Sequence, residues 1–247
     1  MKIQAVSWQA QAPKQQDSFL ISNGDICRII QNKAIISKTY DFNTNFIIAV
    51  ADGIASSPYS GLISKKLLTL LAEQFNKGII SFQTLQDELN HYFSQEKYQG
   101  AGSTLAMAYY HAHKNIFELR HLGDSRIYHF NSMKKQWCKL THDHTYLNEL
   151  KQEIQLEQNQ QYASSYDILY HYFCIDDNPL SCFPSQNIQL NTGDYLLICT
   201  DGVHDVLDCE HWLLPCEMNT KQWLSSMYKL LQKHRAWDNM TMILMQY

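Results

Sequence analysis

The chain has 247 residues, 45% of them hydrophobic and 18% charged, enough to bury a sizeable core. Its formal charge of −4, without any long Lys/Arg block, excludes a surface built for nucleic-acid phosphates. No stretch approaches the ~18 consecutive apolar residues of a spanning helix, and Met1-Lys2-Ile3-Gln4-Ala5 lacks a signal peptide's apolar region, so a soluble, cytoplasmic protein without membrane insertion is expected.

Alternation in Asp17 to Ile21, Asp25 to Ile30 and Lys33 to Ile36, with turns at Asn23-Gly24 and Gln31-Asn32, predicts a β-meander. Phe46 to Ala51 follows as a buried strand. Leu62, Ile63, Leu67, Leu70, Leu71 and Phe75 then recur at helical spacing, and Lys77-Gly78 closes that helix. A second helix is predicted from about Ser81 to Ser94, with Phe82, Leu85, Leu89 and Phe93 on one face. Both helices are one-sided, so each should pack on a sheet.

Four short runs, Ser103 to Tyr110, Asn115 to Leu122, Ser125 to Phe130 and Gln136 to Leu140, predict a second meander. Thr145 to Ser165 is polar, with five glutamines between positions 152 and 161, and reads as an excursion from the core. Strands return at Ile188 to Leu190 and Tyr195 to Thr200, followed by a helix around Thr220 to Lys233 and a last strand, Met240 to Met245. No repeat, linker or Pro/Gly-rich break divides the chain, so the order suggests one α+β layered domain over residues 1–247. The seven cysteines are scattered, with no C-x-x-C pair for zinc or redox work, and most read as small buried residues.

Two of these strands end alike, Phe46 to Ala51 at Asp52-Gly53 and Tyr195 to Thr200 at Asp201-Gly202. A single Asp-Gly after a strand reads as a turn, because glycine accepts positive φ and aspartate bonds its own backbone. Two copies on strongly apolar strands point instead to carboxylates delivered to the rim of a core, where a hard divalent cation takes oxygen ligands. Three further segments carry chemistry: Gly102-Ser103-Thr104, Gly123-Asp124-Ser125-Arg126 and Asp238-Asn239-Met240-Thr241.

With Gln16-Asp17-Ser18-Phe19, Leu140-Thr141-His142-Asp143-His144 and Asp201-Gly202-Val203-His204-Asp205, these motifs fall in an order that resembles the metal-dependent protein phosphatases of type 2C. The wording of the two Asp-Gly motifs is similar to a bacterial branch that includes phosphatases of type VI secretion clusters. The resemblance runs from about residue 16 to 245. It implies a four-layer α-β-β-α sandwich of two antiparallel sheets flanked by helices. It also implies serine/threonine phosphoprotein phosphatase activity with two Mn²⁺ or Mg²⁺ ions, and a phosphoprotein partner made by a serine/threonine kinase. Carried over by position, Asp52 bridges both metals, Asp17 and the Gly53 carbonyl serve one, Asp201 and Asp238 the other, and Asp124 a weaker third. Asp52, Asp201 and Asp238 form the catalytic set, and a flap is implied at about 145–185.

The sequence also departs from that family. An arginine commonly stands five positions before the first aspartate to hold the substrate phosphate; here it is Ala12, and Lys14 is the nearest cation and candidate substrate contact. A histidine that follows Asp-Gly in some relatives is Ile54 here. Arg126 is expected to be an ion-pair partner, and His142 and His144 to fix a loop. His204 and Asp205 either bond near the metals or cap the next helix. Ala12 leaves a phosphoprotein-binding pseudophosphatase as the alternative, and a hydrolase of other phosphate esters as a third reading.

Overall fold

The computed structural model describes residues 1–54, 57–154, 168–176, 185–234 and 237–247. Its strands are β1 (Lys2–Trp8), β2 (Ser18–Ser22), β3 (Cys27–Ile30), β4 (Ala34–Ile36), β5 (Tyr40–Asp41), β6 (Phe46–Ala51), β7 (Gly102–Ser103) and β8 (Leu105–His111). They continue as β9 (Ile116–Leu122), β10 (Arg126–Asn131), β11 (Gln136–Lys139), β12 (Phe173–Cys174), β13 (Ser185–Ile188), β14 (Tyr195–Cys199) and β15 (Met240–Gln246). The helices are α1 (Ser60–Asn76), α2 (Phe82–Tyr92), α3 (Tyr146–Ile154), α4 (Asp201–His204) and α5 (Thr220–Lys233).

The first sheet runs β11-β10-β14-β15-β1-β4, with β5 also on β1; the second runs β13-β9-β8-β6-β2-β3. Pairing is antiparallel throughout. Side chains alternate across each strand, and the central strands fill two cores at once. In β6, Phe46, Ile48 and Val50 pack between the sheets, while Ile47, Ala49 and Ala51 face α1 and α2. In β14, Leu196 and Ile198 point inward, while Tyr195, Leu197 and Cys199 pack with Trp223 and Leu224 of α5. Burial on both faces is why these strands read as unbroken apolar runs. The result is the expected α-β-β-α sandwich.

Local chemistry sets the helix ends. Ser81 caps α2 by accepting the Thr84 N–H, Asn219 and Gln222 form a capping box on α5, and Gly78 at φ +75° ends α1.

Two expectations are corrected. The first meander is broken, because β4 leaves β3 and pairs with β1 in the opposite sheet. The second is split, with β8 and β9 in one sheet and β10 and β11 in the other. Alternation reports which side chains are buried and is blind to which sheet receives them. The expected excursion, Thr145 to Ser165, begins with helix α3, and its remainder from 155 on lies outside the described residues, as do 177–184 of the implied flap. The central strand β1 was not singled out in the sequence. Among the described residues, no helix is long and apolar enough to cross a membrane.

Candidate active site

Strand register brings the predicted aspartates to one end of the sandwich. Ser18 pairs with Ala51, so Asp17 and Asp52 are neighbours across the end of the second sheet. In the first sheet Cys199 pairs with both Arg126 and Met242, which sets Asp124, Asp201 and Asp238 at the matching end. The chain crosses from β9 to β10 through Gly123-Asp124-Ser125, with Gly123 at φ +100°, so Asp124 sits between the sheets. The Thr200 hydroxyl ties the two ends together by donating to Asp17 Oδ2 at 2.8 Å.

Asp17 is fully buried, and its Oδ1 has no hydrogen-bond partner among the described residues; neither has Asp124 Oδ1. Asp52, Asp124 and Asp201 are half-buried, and Asp238 is exposed. Asp52 lies within hydrogen-bonding reach of both Asp17 and Asp201. Burial, and then the Asp201 charge, push the Asp17 carboxyl up to about 7. Burial, then Asp201, Asp17 and Asp124, hold Asp52 well above the carboxylate range; Asp124 is raised by burial and then Asp201. Asp201 is raised by burial and then by Asp238. Four acids so placed cannot all ionise unless a cation neutralises them.

Both Asp-Gly glycines are needed for close approach, and neither has positive φ. A Cβ on Gly53 would stand 2.6 Å from the Ser60 backbone at the start of α1; one on Gly202 would overlap the Asn239 carbonyl. The donor set suits a hard divalent cation: oxygen atoms, orphaned lone pairs and surplus negative charge. Among the described residues, no three such side chains already stand as a finished coordination set, so the end of the sandwich is a gathered cluster of carboxylates.

A family model described as protein phosphatase 2C matches residues 37–245, taking in Asp52, Asp124, Asp201 and Asp238. The chain belongs to the protein phosphatase 2C family. Comparison with curated protein sequences gives no match. Among solved structures, the serine/threonine phosphatase of S. agalactiae superposes with a TM-score of 0.77 at 19% identity, covering 99% of this chain and 98% of that one. Stp1 of Staphylococcus aureus gives 0.79 at 20%, covering 99% and 94%. PppA of Pseudomonas aeruginosa, described as a key regulatory component of T6SS, gives 0.70 at 14%, covering 99% and 97%. These likenesses show the shared fold.

In this phosphatase 2C chain a layer of uncharged polar residues holds the acids, and Thr104, Ser125 and Asn239 of that layer lie in the segments singled out in the sequence. Thr104 Oγ1 accepts the Asp52 N–H at 3.1 Å and meets Ser125 Oγ at 2.7 Å, joining the Asp52 tip to the Asp124 crossing. Asn239 accepts the Gln16 N–H at 2.6 Å and donates to the carbonyls of Gln9 and Lys14 at 3.0 and 2.9 Å. Their signal is positional: Thr200 and Asn239 each adjoin an aspartate at the edge of an apolar strand. Lys14 has an exposed side chain, and Ala12 is half-buried.

Arg126 grips Asp143 through Nε at 2.9 Å and Nη2 at 2.5 Å, the expected ion pair. Both line a cleft of about 540 Å³ with Asp124, His204 and Asp205. His144 braces the crossing by accepting the Gly123 N–H at 3.1 Å and stacks on His121 at 4.7 Å. Burial and then the neighbouring histidines push His144 down to about 3, so it stays neutral, as a loop-fixing residue should. His204 Nε2 lies 3.1 Å from the Asp124 carbonyl, and its Nδ1 lies 2.9 Å from Asp205. That resolves the alternatives left open for His204 in favour of bonding near the site.

Proposed function

We propose that this chain hydrolyses phosphoserine and phosphothreonine in cytoplasmic proteins, using two Mn²⁺ or Mg²⁺ ions. Asp17, Asp52, the Gly53 carbonyl, Asp201 and Asp238 would hold them, with Asp124 at a weaker third position. The observation that carries this reading is the convergence of carboxylates from both sheets, with Asp17 Oδ1 and Asp124 Oδ1 lacking any donor among the described residues. When bound, such ions supply a water acidic enough to ionise near neutral pH and positive charge for the phosphoryl oxygens.

The chain's own residues do the positioning. Thr200 fixes the Asp17 carboxylate, and Thr104 and Ser125 fix the Asp52 tip against the Asp124 crossing. Lys14, tethered through its carbonyl to Asn239, places an exposed ammonium at the rim as a point charge for the substrate phosphate, where Ala12 offers none. Ile54 carries no proton, so the leaving alkoxide takes one from solvent. The partner is a phosphoprotein made by a serine/threonine kinase, and the whole of 1–247 acts as one domain with a flap at about 145–185.

The test is phosphate release from a phosphothreonine peptide and from a nucleotide, each in EDTA, Mg²⁺ or Mn²⁺, beside an Asp238→Asn control. Metal-dependent release from the peptide that needs Asp238 is expected. Release from the nucleotide alone would assign a different phosphate ester, and metal binding without turnover would assign a binding module.

A further inference from the structure

The outer face of α1 and α2 carries a cavity of about 410 Å³ whose lining includes Leu62, Lys65, Lys66, Tyr92, Phe93 and Tyr98, and no carboxylate. Leu62 and Tyr92 are 51% and 61% exposed, two large apolar surfaces side by side on the outside of the sandwich. Lys66 Nζ sits 3.9 Å from the Tyr92 ring centroid. Among the described residues neither Lys65 nor Lys66 has an ion-pair partner, as holds for most lysines of the chain, so both ammonium groups are open to an anionic ligand. A second cavity of about 360 Å³ shares Lys66 and Tyr92 but is lined by Asp87 and Glu88, so the groove changes sign along its length.

The positive end is the one nearer the carboxylate cluster. Helix α1 starts at Ser60, against Gly53, and Lys65 lies about 7.5 Å further along the axis. An extended chain covers ~3.3 Å per residue, so a segment running from the cluster reaches this end within several positions. The chain as a whole carries −4 and repels an acidic segment in general, so Lys65 and Lys66, in a lining without a carboxylate, form a local attractive patch for one.

We propose that this groove docks an acidic segment of the phosphoprotein substrate, its carboxylates on Lys65 and Lys66 and an apolar or aromatic side chain between Leu62, Tyr92 and Tyr98. The proposal rests on the reading of the carboxylate cluster as a site for protein phosphoresidues. It gives the substrate a chemical class: phosphosites flanked by Asp/Glu with a nearby aromatic residue.

The test has two arms. In the first, a fluorescent, unphosphorylated Asp/Glu-rich peptide with one Phe is titrated into the full chain and into Lys65→Glu/Lys66→Glu and Tyr92→Ala variants of unchanged melting temperature. About tenfold weaker binding by each variant is expected. Equal binding by all three, or binding to anionic phosphatidylglycerol vesicles in place of the peptide, would overturn the proposal. In the second, the charge-reversed variant should raise KM about tenfold for an acid-flanked phosphothreonine peptide and leave turnover of a small aryl phosphate unchanged; an unchanged KM would overturn it. The binding arm needs no catalysis, so absent phosphate release in every condition would count against the site's reading and leave the groove's result standing.

Discussion

Asp52-Gly53 and Asp201-Gly202 share a spelling and end apolar strands of opposite sheets, yet their carboxylates meet different surroundings. Asp201 Oδ1 accepts the Gly202 N–H at 2.6 Å, so the first turn of α4 already satisfies part of its charge. Asp52 is tied down through its backbone N–H, and its side chain faces Asp17, Asp124 and Asp201. One tip supplies its own donor; the other depends on whatever enters the cluster. The difference teaches that the repeated dipeptide encodes a close backbone approach on each sheet, while the surroundings of each carboxylate are set by neighbours from elsewhere in the chain, Asp238 for Asp201 and Asp201, Asp17 and Asp124 for Asp52.

The largest effect that would break this comparison is on turnover. Asp52→Asn and Asp201→Asn should each lower phosphate release from a phosphothreonine peptide about a thousandfold or more. In EDTA the pair should part: Asp52→Asn, relieved of like-charge repulsion, should melt several degrees above the parent, and Asp201→Asn should gain less. Equal shifts would erase the distinction between the tips.

Gly53→Ala and Gly202→Ala test the close approach itself. Each drives a Cβ into backbone, against Ser60 or Asn239, and should cost roughly 2–4 kcal/mol. Thermal unfolding should show a fall of about 5–15 °C for a chain of this size. Thr200→Val removes the donor to Asp17 Oδ2 and should weaken Mn²⁺ binding about tenfold, with turnover recovered in excess Mn²⁺.

pH separates the cluster from structural acids. The folded-state pKa of Asp17 is raised to about 7, so the native state binds its proton more tightly than the unfolded chain. Metal-free stability should therefore fall as pH rises from about 4 to 7, and Mn²⁺ should cancel that fall. Asp143 has the opposite sign. Burial alone would raise it, but the Arg126 guanidinium outweighs burial and holds it below the usual range. Its contribution is present above the unfolded pKa near 4 and is lost as pH drops through the folded value. Melting temperature across pH 3–8, with and without EDTA, reads both. The smallest effect is His144→Ala, which should change Mn²⁺ affinity by less than about threefold, because that ring touches the Gly123 backbone and no aspartate of the cluster.

Much of this comparison was legible before the structure. Helix α5 spans the residues expected for it, and Lys77-Gly78 ends α1 as its spacing implied. Each of those signals is local, carried by periodicity or a cap. Sheet membership was not legible, since β3 and β4 carry similar alternation and pair on different sheets. The aspartates stood out as polar breaks in apolar runs. The supporting contacts were not legible, even for Asn239 within its motif, because the meaning of Thr200 and Asn239 depends on partners 183 and 223 positions away. The glycine at each tip was legible as part of the repeated Asp-Gly signal, whereas its close contact with the Ser60 or Asn239 backbone, which excludes a Cβ, was not.

The central claim is that carboxylates from both sheets form one cation site, and calorimetric titration of Mn²⁺ into the metal-free chain tests it most directly. The wild type should take up two ions, and Asp52→Asn and Asp201→Asn should each lose tight binding despite lying on different sheets. Wild-type binding retained in Asp52→Asn would contradict the account.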